Sequence, residues 1–327
     1  MFLEKEKFAL WVDFIERDFI TSTMQALVNN KTINGATSNP AIFKNAFLNS
    51  PAYKEDIKAL KGTKTPKEIY ETLAIKDIQA AADVLRPLFD NNDDGFVSIE
   101  VDPTLANDAT ATTDEGKRLY KMINRPNVMI KVPATDAGYE AMQALVADGI
   151  SVNATLIFSL TEALSCAKAF EKGQAQTDKA VHTVISIFVS RVDRKIDSLL
   201  PEDYQSKAGI VNAAMIYNQI EKMAVKNNRT LFASTGVKGD ILHPAYYVSG
   251  LIAPNSVNTT PLETIDSFVK EGSKELVLPL DQAEIDDLFQ TLVEQDIEFS
   301  EVLLELKAEG LKAFEEAFAE IMTSLEG

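Results

Sequence analysis

The chain alternates between short apolar runs and longer segments whose apolar residues recur at helical spacing. The apolar runs are four to seven residues long, which is typical of strands buried on both faces of a parallel sheet. The predicted strands are Ala9–Asp13, Gly35–Ser38, Phe96–Val101, Val128–Val132, Ser151–Ile157, Val184–Val189, Leu231–Ser234 and Tyr246–Ile252. Eight strands separated by helical segments predict an α/β fold, a closed (β/α)8 TIM barrel. An open, doubly wound sheet is the main alternative.

Local signals mark where several of the helices begin and end. Ser159 and Glu162 form a capping box directly after a predicted strand. The segment from Thr65 to Glu68 has the same signal, with a proline at the first helical position. Gly149 is expected to end the helix that begins near Asp136.

Two helical additions extend the barrel pattern. No long linker rich in Gly, Ser or Pro divides the chain, so we predict one barrel domain over residues 1–327. Residues 40–90 are predicted to hold two or three helices between consecutive strands, and residues 281–327 form an amphipathic C-terminal segment. The apolar stripe of that segment is Phe299, Leu303, Leu306, Phe314, Phe318, Ile321 and Leu325. Packing against the barrel is the preferred interpretation of this stripe, and a lid over the active site is the alternative.

The charge distribution argues against nucleic acid or an anionic membrane as a partner. The formal net charge is −17. Residues 281–327 hold 14 acidic and 2 basic side chains, so this segment alone accounts for most of the excess. The acidity therefore belongs to a solvated helical face, and an anionic small molecule can still bind where arginine and lysine converge.

Composition indicates a cytoplasmic protein without a metal centre. No apolar run approaches the ~20 residues that span a bilayer, and the N-terminus is charged without a signal-peptide core. Cys166 is the single cysteine, so no internal disulfide is expected. Two histidines are too few for a His-rich metal site, and there is no P-loop, GxGxxG or paired CxxC motif.

Lys131 is the most informative residue for chemistry. It lies inside the apolar run Val128–Val132, where a lysine is rarely found unless a partner holds it. Burial disfavours a charged ammonium, and a neutral amine is a nucleophile toward carbonyl carbon. A lysine that only guards an edge strand or reaches to water is the alternative.

Polar side chains recur where the other predicted strands end, which is where TIM-barrel enzymes carry their catalytic groups. These candidates are Asp13, Asn39, Glu100, Asn153, Thr155, Ser186, Arg191, Ser234 and Lys238. Individually they have plain structural explanations, such as a helix cap or a turn. Together with Lys131 they provide an amine, carboxylates, carboxamides and hydroxyls, a set suited to covalent carbonyl chemistry with acid and base support.

Five motifs in register resemble the transaldolase family of Schiff-base enzymes. They are Ala36–Phe43, Val97–Asp102, Met129–Thr135, Asn153–Ser159 and Ser186–Asp193. Their order and approximate spacing agree with the family from Leu10 to about Asp266. The resemblance implies a class I aldolase-type barrel that works without a cofactor.

The resemblance also implies roles for individual residues. Lys131 would form the Schiff base with the ketose carbonyl, and Asp13 would accept the proton of the C4 hydroxyl as the C3–C4 bond breaks. Glu100 and Thr155 would hold a water that shuttles protons while the imine forms and hydrolyses. Asn39 and Asn153 would bind the substrate hydroxyls.

Phosphate binding is where the sequence departs from part of the family. The resemblance implies that Ser186 and Arg191 grip the phosphate. Some transaldolases add a second arginine in a Ser-Phe-Arg segment after strand seven, where this chain has the segment from Ala233 to Lys238. Ser234 keeps its place in that segment, and Lys238 would take the second charge unless it is only an exposed loop lysine.

The implied reaction belongs to the pentose phosphate pathway. A dihydroxyacetone unit passes from sedoheptulose 7-phosphate to glyceraldehyde 3-phosphate, giving erythrose 4-phosphate and fructose 6-phosphate. The first alternative is a fructose-6-phosphate aldolase, but the similar aldolases are shorter and carry glutamine at the position of Glu100. The second alternative is a barrel that binds sugar phosphates without catalysis, which has no need of a buried amine.

Overall fold

The architecture is a closed barrel of eight parallel strands. A computed structural model of the protein describes residues 2–326. The strands pair in chain order, and the eighth pairs back with the first. They are β1 (Ala9–Val12), β2 (Gly35–Thr37), β3 (Val97–Glu100), β4 (Val128–Pro133), β5 (Val152–Ile157), β6 (Thr183–Phe188), β7 (Asn228–Ala233) and β8 (Ser256–Thr260). The predicted (β/α)8 barrel is confirmed, and the open sheet is wrong.

Helices surround the barrel and connect its strands. They are α1 (Arg17–Phe19), α2 (Gln25–Asn29), α3 (Pro40–Asn49), α4 (Lys54–Leu60), α5 (Pro66–Asp90), α6 (Ala109–Ile123), α7 (Asp136–Ala147), α8 (Leu160–Gln174), α9 (Ser190–Ile196), α10 (Ala208–Met223), α11 (Tyr246–Ser249), α12 (Leu262–Glu271), α13 (Gln282–Glu294) and α14 (Phe299–Leu325). Within residues 2–326, none of the helices has the length and apolarity to cross a bilayer. The capping boxes predicted before α5 and α8 both form, at Thr65 and Ser159.

Strand alternation divides the apolar residues between two clusters. Met129 and Val257 belong to the inner cluster, which fills the barrel. Val128, Ile130 and Val132 belong to the outer cluster, which packs against the surrounding helices. Successive residues of β4 therefore point to opposite sides of the sheet, so Lys131 shares the inward direction of Met129.

A tryptophan and a buried ion pair close the barrel at the N-terminal ends of its strands. Trp11 is fully buried, and its indole Nε1 donates to Asp94 Oδ2 at 2.8 Å. Arg229 Nη1 lies 2.9 Å from the same carboxylate oxygen. Gly35 is required beside the indole, because a Cβ there would lie 2.5 Å from Trp11 Nε1. This floor leaves the opposite end of the barrel for the polar strand termini.

The predicted eighth strand is wrong. Tyr246–Ser249 forms the short helix α11, and the strand lies later, at Ser256–Thr260. The segment around α11 buries Tyr247, Val248 and Ile252 in the outer cluster. This apolar run is therefore buried without being a strand of the sheet. The true strand consists mostly of polar residues, of which Ser256, Asn258 and Thr259 form side-chain hydrogen bonds inside the protein.

The two helical additions meet across one face of the barrel. Helices α3, α4 and α5 lie between β2 and β3, and α13 and α14 follow the last barrel helix. Helix α14 packs against α3, α5 and α9, and it contacts β5. Phe318 of α14 packs edge-to-face on Tyr70 of α5, with ring centroids 5.3 Å apart. The long C-terminal helix therefore lies across the C-terminal ends of the strands.

Candidate active site

The register of three neighbouring strands brings three predicted site residues into one row. Glu100 of β3 is paired with Lys131 of β4, and Lys131 is paired with Asn153 of β5. Side chains at paired positions of adjacent parallel strands point to the same face. The row therefore holds a carboxylate, an amine and a carboxamide side by side inside the barrel.

The Lys131 amine is buried and held by few partners. The residue is only 5% exposed. Its Nζ donates to the backbone carbonyl of Ser38 at 3.2 Å and lies 3.5 Å from Glu100 Oε2. The ring of Phe314 covers it, with its centroid 5.6 Å from Nζ. The arrangement shelters the amine while leaving it at a cavity.

Glu100 is a buried carboxylate with unusual proton affinity. Burial raises the pKa of its carboxyl to about 7, although the positive charge of Lys131 opposes that rise. Its Oε1 has no hydrogen-bond partner among the groups that the structure describes. A carboxyl with a pKa near neutrality can both take and give a proton under physiological conditions.

Asp13 follows β1 and is positioned by two threonines. Its Oδ1 accepts a hydrogen bond of 2.7 Å from Thr37 Oγ1, which lies 2.6 Å from Thr259 Oγ1. Burial raises the pKa of Asp13, while the charge of Lys131 and the Thr37 hydrogen bond act in the opposite direction. Sequence reasoning missed both threonines. Strand alternation places Thr37 on the same face as Asn39, which was a usable signal, but Thr259 lies on the strand that was wrongly placed.

A bulge in β5 sets the position of Thr155. The pairing of β5 with β6 shifts between Ala154 and Ile157, and Leu156 has a φ of 58°. A bulge of this kind re-aims the residues beside it and is often found next to active sites. Thr155 lines the cavity, and its buried hydroxyl has no partner within residues 2–326. Asn153 lies two residues earlier on the same face of β5 and is fully buried beneath the cavity.

Most of the predicted residues line one cavity at the C-terminal ends of the strands. We call it the substrate cavity, and its volume is about 110 Å³. Its lining is Asp13, Thr37, Asn39, Lys131, Thr155, Ser186, Phe188, Arg191, Ala233, Ser234, Thr259 and Phe314. Asn153 lies under it, where its Oδ1 accepts a 2.6 Å hydrogen bond from Ser186 Oγ. Glu100 reaches it through its contact with Lys131.

One end of the substrate cavity is positively charged. The guanidinium of Arg191 stacks over Phe188, 5.1 Å from the ring centroid. Burial and then the nearby charge of Arg194 lower the pKa of Arg191, and no ion pair to it occurs in the described part of the chain. A desolvated guanidinium beside the hydroxyls of Ser186 and Ser234 is suited to an anion such as a phosphate.

Two other predicted binding residues differ in their placement. Asn39 caps helix α3, with its Oδ1 accepting from the backbone N–H of Ile42, so its amide NH2 is the group available to the cavity. Lys238 is exposed in the loop after β7. Among residues 2–326, it is not one of those that line the substrate cavity. The structure thus brings Asn39 to the site and leaves Lys238 outside it.

Helix α14 forms the roof of the substrate cavity. At Gly310 it lies close to the barrel, since a Cβ there would be 2.9 Å from Leu156 Cδ2 and 3.4 Å from Arg191 Nη1. One turn later Phe314 covers Lys131. The apolar stripe therefore packs on the barrel and, at Phe314, also covers the amine. No group of His, Cys, Asp and Glu suited to hold a metal ion occurs in the described chain.

The chain is similar to several known proteins. The model of a family described as transaldolase/fructose-6-phosphate aldolase matches residues 10–325. A transaldolase of Campylobacter jejuni subsp. doylei is 47% identical over 98% of this chain and 100% of that protein. A transaldolase of Helicobacter pylori strain Shi470 is 45% identical over 98% of this chain and 99% of its own length. A solved chitinase domain from Pyrococcus furiosus is 11% identical, covers 80% of this chain and 94% of its own, and has a TM-score of 0.31.

Proposed function

The chain belongs to the transaldolase/fructose-6-phosphate aldolase family, and we propose that it is a transaldolase that acts through a Schiff base on Lys131. The proposed donors are sedoheptulose 7-phosphate and fructose 6-phosphate, and the proposed acceptors are glyceraldehyde 3-phosphate and erythrose 4-phosphate. The observation that carries the proposal is the Lys131 amine, buried 3.5 Å from Glu100 at a cavity with Asp13 and Arg191. No cofactor is proposed.

The proposed mechanism divides proton transfer between two carboxylates. Glu100 takes a proton from the Lys131 ammonium, which lets the amine attack the ketose carbonyl. The iminium then accepts the electron pair of the breaking C3–C4 bond, while Asp13 takes the proton of the C4 hydroxyl. Thr37 holds Asp13 in place through its hydrogen bond to Oδ1. The two carboxylates serve different steps because they contact different groups.

The rest of the substrate is proposed to lie toward the cationic end of the cavity. Arg191, Ser186 and Ser234 would bind the phosphate, and the Asn39 amide would donate to a hydroxyl of the sugar. In the structure Ser186 donates its one hydroxyl proton to Asn153, and with substrate bound it would donate to the phosphate instead. Lys238 is left out of this scheme, because it is exposed in the loop after β7.

We predict that the pH dependence of activity reports Glu100. Because burial raises the pKa of this carboxyl to about 7, kcat/KM of the wild type should rise as the pH increases through that value. Glu100→Gln should lower kcat/KM by about 10²-fold, within the usual contribution of a positioned proton-transfer group, and should remove this limb of the profile. The measurement is the pH–rate profile of both proteins.

A matched control tests whether the pH dependence is specific to Glu100 or would follow from the loss of any buried carboxyl. Burial also raises the pKa of Glu221, which lies on α10 and lines a depression at the floor end of the barrel. Glu221→Gln should leave the profile unchanged. A limb near neutrality that persists in Glu100→Gln would show that another group titrates there.

We predict that Arg191→Met acts selectively on phosphorylated substrates. Charge-assisted hydrogen bonds contribute about 1.5–3 kcal/mol each, so the KM for fructose 6-phosphate should rise about 10- to 100-fold. The rate with unphosphorylated fructose should change little, since it offers no anion to Arg191. Kinetics with both ketoses provide an internal control. An equal loss with both ketoses would contradict phosphate binding at this end of the cavity.

Product analysis separates the transferase from the aldolase. Fructose 6-phosphate alone should give no accumulating free dihydroxyacetone, and erythrose 4-phosphate should then release the three-carbon unit as sedoheptulose 7-phosphate. Steady accumulation of dihydroxyacetone without an acceptor would favour the aldolase. Binding of sugar phosphates with neither outcome would favour the non-catalytic barrel.

A further inference from the structure

A second, smaller cavity is lined by Glu100 but not by Lys131. We call it the side cavity, and it lies between the end of β3, helices α5 and α6, and Phe318 of α14. Its volume is about 10 Å³, which is about the space that one water molecule needs. Glu100 therefore lines the side cavity and contacts Lys131, which lines the substrate cavity.

The side cavity has polar walls and leads toward solvent. Lys67, Tyr70, Glu71 and Ala74 occupy one face of α5 and line it. The Lys67 side chain is 40% exposed, and its Nζ lies 2.7 Å from Asp102 Oδ2. Such walls supply the two to four polar partners that a buried water requires.

Tyr70 is the side cavity residue best suited to hold a water next to Glu100. Its ring packs edge-to-face against Phe43 and Phe318, so its position is fixed. Burial, and then the neighbouring carboxylates with Glu100 first among them, raise the pKa of the Tyr70 hydroxyl. The hydroxyl therefore stays protonated, and it can both donate and accept a hydrogen bond.

Schiff-base chemistry produces a water molecule that must leave the buried site. The attack of Lys131 on the ketose carbonyl gives a carbinolamine, whose hydroxyl departs with a proton from Glu100 as water, leaving the C=N iminium. On hydrolysis a water adds to the same carbon and returns a proton to Glu100. During both steps a sugar phosphate bound beneath Phe314 would occupy the mouth of the substrate cavity.

Resting on the proposed transaldolase function, we propose that this water leaves and enters through the side cavity, passing Glu100 and the Tyr70 hydroxyl toward solvent at Lys67. Tyr70 is in this scheme a positioning residue, because it binds the water and does not touch the sugar. The mouth under α14 then serves the sugar phosphates, and the side cavity serves the water.

The test follows oxygen and carbon exchange in the same reaction. Fructose 6-phosphate labelled with oxygen-18 at its C2 carbonyl is incubated with carbon-13-labelled glyceraldehyde 3-phosphate. Carbon-13 entering fructose 6-phosphate counts completed Schiff-base cycles, and loss of oxygen-18 counts cycles in which the released water escaped. The ratio of the two does not depend on the amount of folded enzyme. Label lost without enzyme is subtracted.

The wild type should lose oxygen-18 in most cycles. Tyr70→Phe keeps the ring packing and removes the hydroxyl, so the ratio of oxygen loss to carbon exchange should fall about two- to ten-fold, the range of one neutral hydrogen bond. Ala74→Val, which narrows the cavity, should lower the same ratio. Tyr217→Phe is the matched control, since its hydroxyl donates to Pro254 elsewhere in the protein, and it should leave the ratio unchanged.

The possible outcomes separate the two proposals. An unchanged ratio in both Tyr70→Phe and Ala74→Val would overturn the side route and leave the transaldolase function standing. Absence of carbon-13 exchange in the wild type would instead overturn the proposed function. A lower ratio in these two variants, and not in Tyr217→Phe, would support the route.

Discussion

Lys131→Met is expected to lower kcat/KM by at least about 10⁴-fold, the scale on which removal of a covalent nucleophile reduces activity in other enzymes. Methionine has a similar length and no branching, so it can occupy the same space in the barrel. The variant should also form no adduct with fructose 6-phosphate under borohydride. Steady-state kinetics and adduct mass together measure the effect.

A variant that keeps the positive charge shows whether Lys131 acts as a nucleophile or only as a cation. Lys131→Arg keeps a positive charge beside Glu100 but has no amine able to form an imine, so it should be as inactive as Lys131→Met. If Lys131 only neutralised Glu100 or bound an anion, Lys131→Arg would keep substantial activity. That result would contradict covalent catalysis at this position.

Loss of the ammonium should also change the pH dependence of stability. Without Lys131, the folded-state pKa of Glu100 should rise further above its unfolded value, because the charge that opposes its elevation is gone. A raised carboxyl pKa contributes stability below the unfolded value and loses it as the pH rises through the folded value. Urea denaturation should therefore show Lys131→Met to be less stable, relative to the wild type, above neutral pH than at acidic pH.

Asp13→Asn is expected to reduce kcat by about 10²–10⁴-fold while Schiff-base formation is retained. The amide can still accept the hydrogen bond from Thr37, so the side chain should keep its position. It cannot take the proton of the C4 hydroxyl, and C3–C4 cleavage should stop at the imine. Borohydride should therefore trap the intact ketose on the variant, whereas the wild type should yield the three-carbon unit.

Thr37→Val gives the matched comparison for Asp13. It removes the hydroxyl that donates to Asp13 and leaves the carboxylate present, so we expect a smaller loss, of about 10- to 100-fold, the range for one hydrogen bond to a charged group. Failure of Asp13→Asn to form any adduct would assign Asp13 to imine formation instead of cleavage. Near-normal turnover would remove it from the mechanism.

Apolar runs were sufficient to locate seven of the eight strands. Val128–Pro133 is apolar except for Lys131 because helices and the barrel interior cover its two faces. The last strand, Ser256–Thr260, escapes that criterion because four of its five residues are polar. Thr259 reaches Thr37, and Asn258 accepts from Thr235 at 2.7 Å. A strand that lines a polar site is therefore least visible to a search for apolar patterns.

The placement of site residues was predictable where strand alternation fixes it. Lys131, Thr155 and Ser186 lie on strands, and the structure brings them to one cavity. Lys238 lies on a loop, where neither alternation nor register limits the direction of a side chain, and the structure leaves it exposed. The sequence did not decide whether Phe314 covers the active site, because an apolar stripe predicts burial but not the surface that it covers.

The most direct test of covalent catalysis is peptide mass mapping of the protein after borohydride reduction with fructose 6-phosphate. We predict one reduced adduct in the wild type, on Lys131, carrying the three-carbon unit. It should be absent from Lys131→Met, and in Asp13→Asn the adduct on Lys131 should carry the uncleaved ketose. An active wild-type enzyme that gives no adduct, or an adduct on a different lysine, would contradict the assignment of Lys131 as the nucleophile.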